Sequence, residues 1–100
     1  MATAAHLISS NLPSVKQLQC FLAVAYALNF RQAAERLNMT QPPLTRHIQS
    51  LEALLHQQLF SRSTHAVSLT EDGRALVARA EKILADLDAL SADEIGRAHV

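Results

Sequence analysis

The feature that most constrains this chain is a pair of adjacent prolines, Pro42-Pro43, set directly ahead of an apolar series at Leu44, Ile48, Leu51 and Leu55. Proline in a helix interior removes an amide donor and drives its ring into the preceding turn, but the first turn has no intrahelical acceptor to lose. The steps of four, three and four that follow are the rhythm of one helical face. The prolines therefore mark a beginning, and a helix is expected over 41–55 with that stripe turned inward. At about 100° per residue, Pro42, Arg46, Gln49 and Ala53 point away from the stripe, with Thr45 and Ser50 at its margins. Thr40 is the expected N-cap, and Asn38 is a residue that tolerates the left-handed backbone of a sharp turn.

Upstream, Val15, Leu18, Phe21, Leu22, Ala25 and Leu28 repeat the same helical rhythm, with Ser14 placed to accept from a free amide of the first turn. Asn29-Phe30-Arg31-Gln32 carries a capping-box pattern in Asn and Gln, so a short second helix should run through Ala33, Ala34 and Leu37. Its adjacent alanines let another helix cross closely. Two helices joined by a turn of about three or four residues define the helix-turn-helix.

Downstream the rhythm changes. Between Ser61 and Leu69, Val67 and Leu69 alternate with polar residues, which predicts a short two-stranded ribbon turning near Ser63-Thr64-His65. Thr70 then reads as an N-cap with Glu71 and Asp72 in the next turn, where negative charge meets the positive end of the helix dipole. A helix should run from about Glu71 to Ser91. Leu76, Ala80, Ile83, Leu87 and Leu90 form an a/d seam over two heptads that asks for a partner helix, although packing on its own domain would also use it. Gly73 in the first turn costs helix stability and implies a close backbone approach. The expected organisation is a loose tail at 1–13, a mainly α winged helix-turn-helix at 14–70, a linker or dimerisation helix at 71–92 and a tail at 93–100.

Composition agrees with a small helical domain: hydrophobic residues make up 49% of the 100 residues but aromatics only 4%, so the core must be built from aliphatic side chains. The formal net charge of zero conceals a division. Residues 1–70 hold five basic and two acidic side chains, net +3, while residues 71–100 hold four and seven, net −3. A phosphate backbone suits the first part. The single cysteine, Cys20, excludes an internal disulfide and offers no metal-ligand spacing, so neither metal nor other cofactor is expected and a reduced, cytoplasmic setting fits. No apolar run approaches a membrane span and the N-terminus lacks a secretory pattern. There is no Gly-rich phosphate loop, nucleophile elbow or paired cysteine nucleophile, so an enzyme is not expected.

The outward face of helix 41–55 carries the chemistry of base recognition. Gln41 and Gln49 present amides that donate and accept together on an adenine edge, Arg46 can hold guanine through two parallel hydrogen bonds or clamp a phosphate, and Thr45 can meet a phosphate or a thymine methyl. Thr40 adds a hydroxyl at a helix N-terminus, itself a phosphate site. Arg62 and His65 fall in the expected wing, where a basic group can enter the minor groove or meet backbone phosphate, though an ion pair is nearly as good a reading of Arg62 and a solvent-exposed loop histidine is the better reading of His65 unless DNA raises its protonation. The expected partner is double-stranded DNA, with a homodimer reading an inverted repeat. The rival function is a helical protein–protein interaction module using the same faces.

From Val15 to about Leu90 the chain resembles the DNA-binding domain and linker helix of LysR-type transcriptional regulators. The resemblance is carried by Leu18 to Ala25, Asn29 to Leu37, Thr40-Gln41-Pro42-Pro43-Leu44-Thr45-Arg46-His47-Ile48-Gln49-Ser50-Leu51-Glu52, Leu59-Phe60-Ser61-Arg62 and Leu69-Thr70-Glu71-Asp72-Gly73. It implies groove contacts at Gln41, Pro42, Thr45, Arg46 and Gln49, a supporting DNA contact at Arg31, and dimerisation through the linker helix. It also implies a small-molecule effector acting only through a two-lobed C-terminal domain that these 100 residues lack. The chain departs from the family's pattern at His56, where Gly is usual, and at His65 and Ala66, where basic residues are usual. Finally, Ile95-Gly96-Arg97-Ala98-His99-Val100 is the translation of ATC GGA AGA GCA CAC GTC, the start of a common sequencing adapter. Read-through from a truncated gene is the expectation for those six residues, against a natural helix stop at Gly96.

Overall fold

A computed structural model of the chain describes residues 4–63 and 66–99, with side chains as far as residue 91. The elements run α1 (Ala4–Ser9), α2 (Val15–Ala27), α3 (Phe30–Arg36), α4 (Gln41–Leu55), β1 (Phe60–Arg62), β2 (Val67–Leu69) and α5 (Glu71–His99).

Local chemistry sets the helix ends. Ser14 Oγ accepts from the Gln17 amide at 3.0 Å while Gln17 Oε1 accepts from the Ser14 amide at 2.9 Å, a complete capping box at the start of α2. Asn29 Oδ1 accepts from the Gln32 amide at 2.9 Å and starts α3. α2 and α4 both stop on left-handed residues, Leu28 at φ 49° and His56 at φ 54°, and Asn38 at φ 54° makes the turn from α3 into α4.

α2, α3 and α4 enclose the core with the base of the ribbon. Phe21, Val24, Leu44, Ile48, Leu51, Leu59 and Phe60 are all fully buried. Phe60 brings the ribbon into this core: its ring centroid lies 5.5 Å from that of Phe21 and 6.2 Å from that of Phe30, tilted and edge-on respectively. Buried Ala33 and Ala34 keep the face of α3 low, so that it sits closely on its neighbours. Cys20 is fully enclosed in the same core, and burial pushes its thiol pKa up.

The ribbon is antiparallel, with Phe60 opposite Leu69, Ser61 opposite Ser68 and Arg62 opposite Val67. Period-two alternation turns Phe60 and Leu69 inward and leaves both serines exposed. α5 then starts as Thr70 predicts. Thr70 Oγ1 accepts from the Gly73 amide at 3.0 Å and donates to the Gln58 carbonyl at 2.6 Å, while the Thr70 amide donates to the Leu59 carbonyl at 3.0 Å. Gly73 packs against that same carbonyl. A Cβ there would collide with the Leu59 oxygen and lie 2.9 Å from Leu69 Cδ2, which is the close approach its position implies.

Three boundaries differ from expectation. The segment expected as a loose tail contains the six-residue α1, closed by local bonds such as Ser9 Oγ to the Ala5 carbonyl at 2.7 Å, with none of its residues buried. α5 passes 92 and continues through Gly96 to His99, because one glycine costs a helix only about 1 kcal/mol and does not end it. The side chains of the suspected adapter-encoded residues lie outside the described part. The seam is also divided: Ala80 is fully buried in the head and Leu76 packs against it, whereas Ile83, Leu87 and Leu90 are exposed. Ala80 and Leu76 therefore serve the protomer's own core, since the first turns of α5 lie along α2 and turn that side of the helix inward.

Candidate nucleic-acid interface

α4 separates its two faces as the prolines predict. Leu44, Ile48 and Leu51 are fully buried, while Gln41, Pro42, Arg46 and Gln49 are exposed and Thr45 is half-buried. From Gln41 to Gln49 the outer face runs for about 12 Å at 1.5 Å per residue, close to the width of the major groove of B-form DNA. No hydrogen bond or ion pair within the described residues engages Gln41, Arg46 or Gln49, so their polar groups remain available.

The N-terminus of α4 works differently from the expectation. Thr40 occupies the N-cap position at φ −85° and ψ 165°, but its side chain makes no cap hydrogen bond. A capping hydroxyl accepts from the amides of the second or third helical residue. In α4 those residues are Pro42 and Pro43, which have no N–H. Among the described residues nothing engages the Thr40 hydroxyl, and the helix end offers an anion the Gln41 amide in place of the usual cluster of donors.

Arg31 lies 3.6 Å from Glu35 one turn away, with both side chains about two-thirds exposed (68% and 66%). Such a surface pair holds an arginine weakly. Arg31 and Gln41 line one cleft together with Asn29 and Phe30 at the start of α3 and Ser63, Ala66 and Val67 of the ribbon. The fold thus brings two of the predicted contacts and the wing to a single concave surface.

Arg62 is held more firmly. Its guanidinium lies 3.5 Å from Glu52 Oε1 and sits over the Phe30 ring with 5.3 Å from Cζ to the centroid. Glu52 also accepts through Oε2 from the Leu59 amide at 2.8 Å and the Phe60 amide at 3.4 Å. One carboxylate on α4 therefore anchors the entry to the ribbon and the basic side chain at its first strand. Its sequence signal is rarity: Glu35 and Glu52 are the only acids in the first seventy residues. His65 lies outside the described residues. A second tie absent from the sequence reading joins α2 to α5, where the exposed Tyr26 hydroxyl donates to Glu81 Oε2 at 2.5 Å. That bond, with lesser help from burial and from the charge of Glu81, raises the pKa of Tyr26.

A helix with an unengaged polar outer face, set by a short capped companion and flanked by a two-stranded ribbon, defines a winged helix-turn-helix domain. Residues 15–74 match the family described as bacterial regulatory helix-turn-helix protein, lysR family. The chain belongs to that family. It is 44% identical over 90 residues to the HTH-type transcriptional regulator XapR of Escherichia coli (strain K12), a match covering 83% of this chain and 31% of XapR. It is 46% identical over 76 residues to IlvR of Caulobacter vibrioides, covering 76% of this chain and 26% of IlvR. The chain thus spans about a third or less of these relatives. Among solved structures, the CbnR_DBD–DNA complex matches with a TM-score of 0.76 and 41% identity, covering 87% of this chain and 99% of that one. The complex of BenM_DBD with benA site 1 DNA matches with a TM-score of 0.79 and 34% identity, covering 85% and 96%.

Proposed function

We propose that this chain is the DNA-reading part of a cytoplasmic transcriptional regulator, placing α4 in the major groove as one half of a homodimer on an interrupted inverted repeat. The observation that carries the reading is the outer face of α4: Gln41, Pro42, Arg46 and Gln49 are exposed, and the side chains of the three polar ones have no partner among the described residues, on a helix whose opposite face buries Leu44, Ile48 and Leu51. Gln41 and Gln49 suit adenine edges, Arg46 suits guanine, and Thr45 and Thr40 supply hydroxyls for phosphate. Arg31 exchanges a weak partner for backbone phosphate. Arg62 acts mainly by fixing the wing, since Glu52 and Phe30 already hold it. The DNA complexes of CbnR and BenM support this placement, and the exposed Ile83, Leu87 and Leu90 supply a dimer seam. An effector would act through a domain beyond α5.

Selection of bound duplexes from a random library tests the reading. Arg46→Ala should weaken binding to the selected sequence by about 1–3 kcal/mol and relax one base position. Affinity should fall steeply with salt, as phosphate contacts require. An affinity that barely responds to salt would favour an apolar protein partner, and an unchanged Arg46→Ala would remove Arg46 from the contact set.

A further inference from the structure

The first turns of α5 rest on the head through Leu76, Val77, Ala80 and Leu84. These contacts are apolar and non-directional. They hold the two helices together and confine the angle between them only to within the scatter of about 15–20° that such packing leaves. Among the described residues, the one directional link between α2 and α5 is the bond from Tyr26 to Glu81, made by an exposed tyrosine 55 residues away in sequence. Tyr26 stands in the last turn of α2, beside the groove lined by Gln19, Leu22, Ala23 and Leu84. Glu81 follows Ala80, the last fully buried residue of α5, just before the exposed stretch of Ile83, Leu87 and Leu90 begins. The bond therefore lies within one turn of where α5 leaves the head, Leu84 being the last side chain of α5 packed against it.

We propose that Tyr26 and Glu81 are positioning residues that set the exit angle of α5 and, through it, the separation of DNA half-sites that the dimer accepts. The inference rests on the homodimeric DNA reading above. Its leverage follows from helix geometry. Glu81 and Leu90 are nine residues apart, about 14 Å along the axis, so a turn of about 10° at Glu81 moves the seam by about 2.4 Å relative to the head. Two-fold symmetry doubles that to about 5 Å between the two heads, more than the ~3.4 Å step from one base pair to the next. A single hydrogen bond at this point thus decides between neighbouring spacings without touching DNA.

The test uses the sequence selected by the wild-type chain, re-synthesised with its half-sites one base pair closer and one farther apart, together with an isolated half-site duplex. Tyr26→Phe should reduce the preference for the selected spacing by about fivefold, the factor expected of one net hydrogen bond, and leave half-site affinity unchanged. Glu81→Ala should match it, the double variant should be no worse than either single one, and Glu81→Gln, which keeps an acceptor oxygen, should retain the preference. Tyr26 is the only tyrosine in the chain, so the rise of tyrosinate absorbance with pH reports the bond directly; the titration should move down in Glu81→Ala. Unchanged spacing preference in Tyr26→Phe overturns the proposal, as does an equal loss on the half-site. Wild-type chain that binds no duplex overturns the DNA reading itself, and this inference with it.

Discussion

Ser14 and Thr40 occupy the same N-cap position on α2 and α4, yet the hydroxyl is engaged in one and idle in the other. Two prolines make the difference, and they separate two roles that a cap residue can combine. Ser14→Ala should destabilise the fold by about 1 kcal/mol in urea denaturation, the usual loss for a working cap, while Thr40→Ala should leave stability nearly unchanged. A Thr40→Ala protein that keeps its stability and loses affinity for DNA would place the hydroxyl on a phosphate. His56 poses the opposite situation, a side chain where glycine's freedom is wanted: at φ 54° it holds left-handed backbone that costs a residue with a Cβ about 1–2 kcal/mol. His56→Gly should raise stability by about 0.5–1 kcal/mol after glycine's extra chain entropy is set against that relief, measured as a higher denaturation midpoint with an unchanged slope. Gly at this position is also what the family's pattern implied. At this scale the exposure of Gln41, Pro42, Arg46 and Gln49 was legible because helical periodicity alone assigns faces. The idle Thr40 followed from the same Pro42-Pro43 that marked the helix start, whereas Leu28 gave no sign of its left-handed backbone.

The elements differ in how far local sequence determines them. α2, α3 and α4 emerge because each pairs a start signal, a side-chain cap in α2 and α3 and the two prolines in α4, with apolar residues at helical spacing. The ribbon is only three residues a side, and what fixes it is Phe60 in the core and Glu52 beneath it, partners brought from other elements. Spacing within the strand cannot show such contacts. The a/d seam of α5 shows the same limit in another form: one periodic series serves the head at Leu76 and Ala80 and then faces outward, and periodicity does not mark the change. Leu87→Glu, in the exposed portion, should therefore yield folded monomers in sedimentation. A dimer of unchanged mass would mean that assembly uses another surface. The Tyr26–Glu81 tie also has a definite pH range. Because the folded-state pKa of Tyr26 is raised above its ordinary 10.0, the stabilisation is fully present below that pH and is lost as pH rises through the folded value.

Across the molecule, the unequal charge of the two parts falls where the architecture uses it. Arg46 lies on α4, Arg31 near it at the start of α3 and Arg62 in the ribbon, whereas the acidic excess lies along α5. Zero net charge overall thus coexists with a head able to bind a polyanion, provided that the head and linker stay spatially apart. The long α5 ensures this, extending the molecule to 52 Å in its longest dimension. The fully enclosed Cys20 carries a practical consequence of its own. A thiol reagent can reach it only when the head opens, so its labelling rate under native conditions is a clock for opening, with no tag required. By the same reasoning, a disulfide-linked pair found in an oxidised preparation would record two heads that had come apart, and would say nothing of how intact protomers associate.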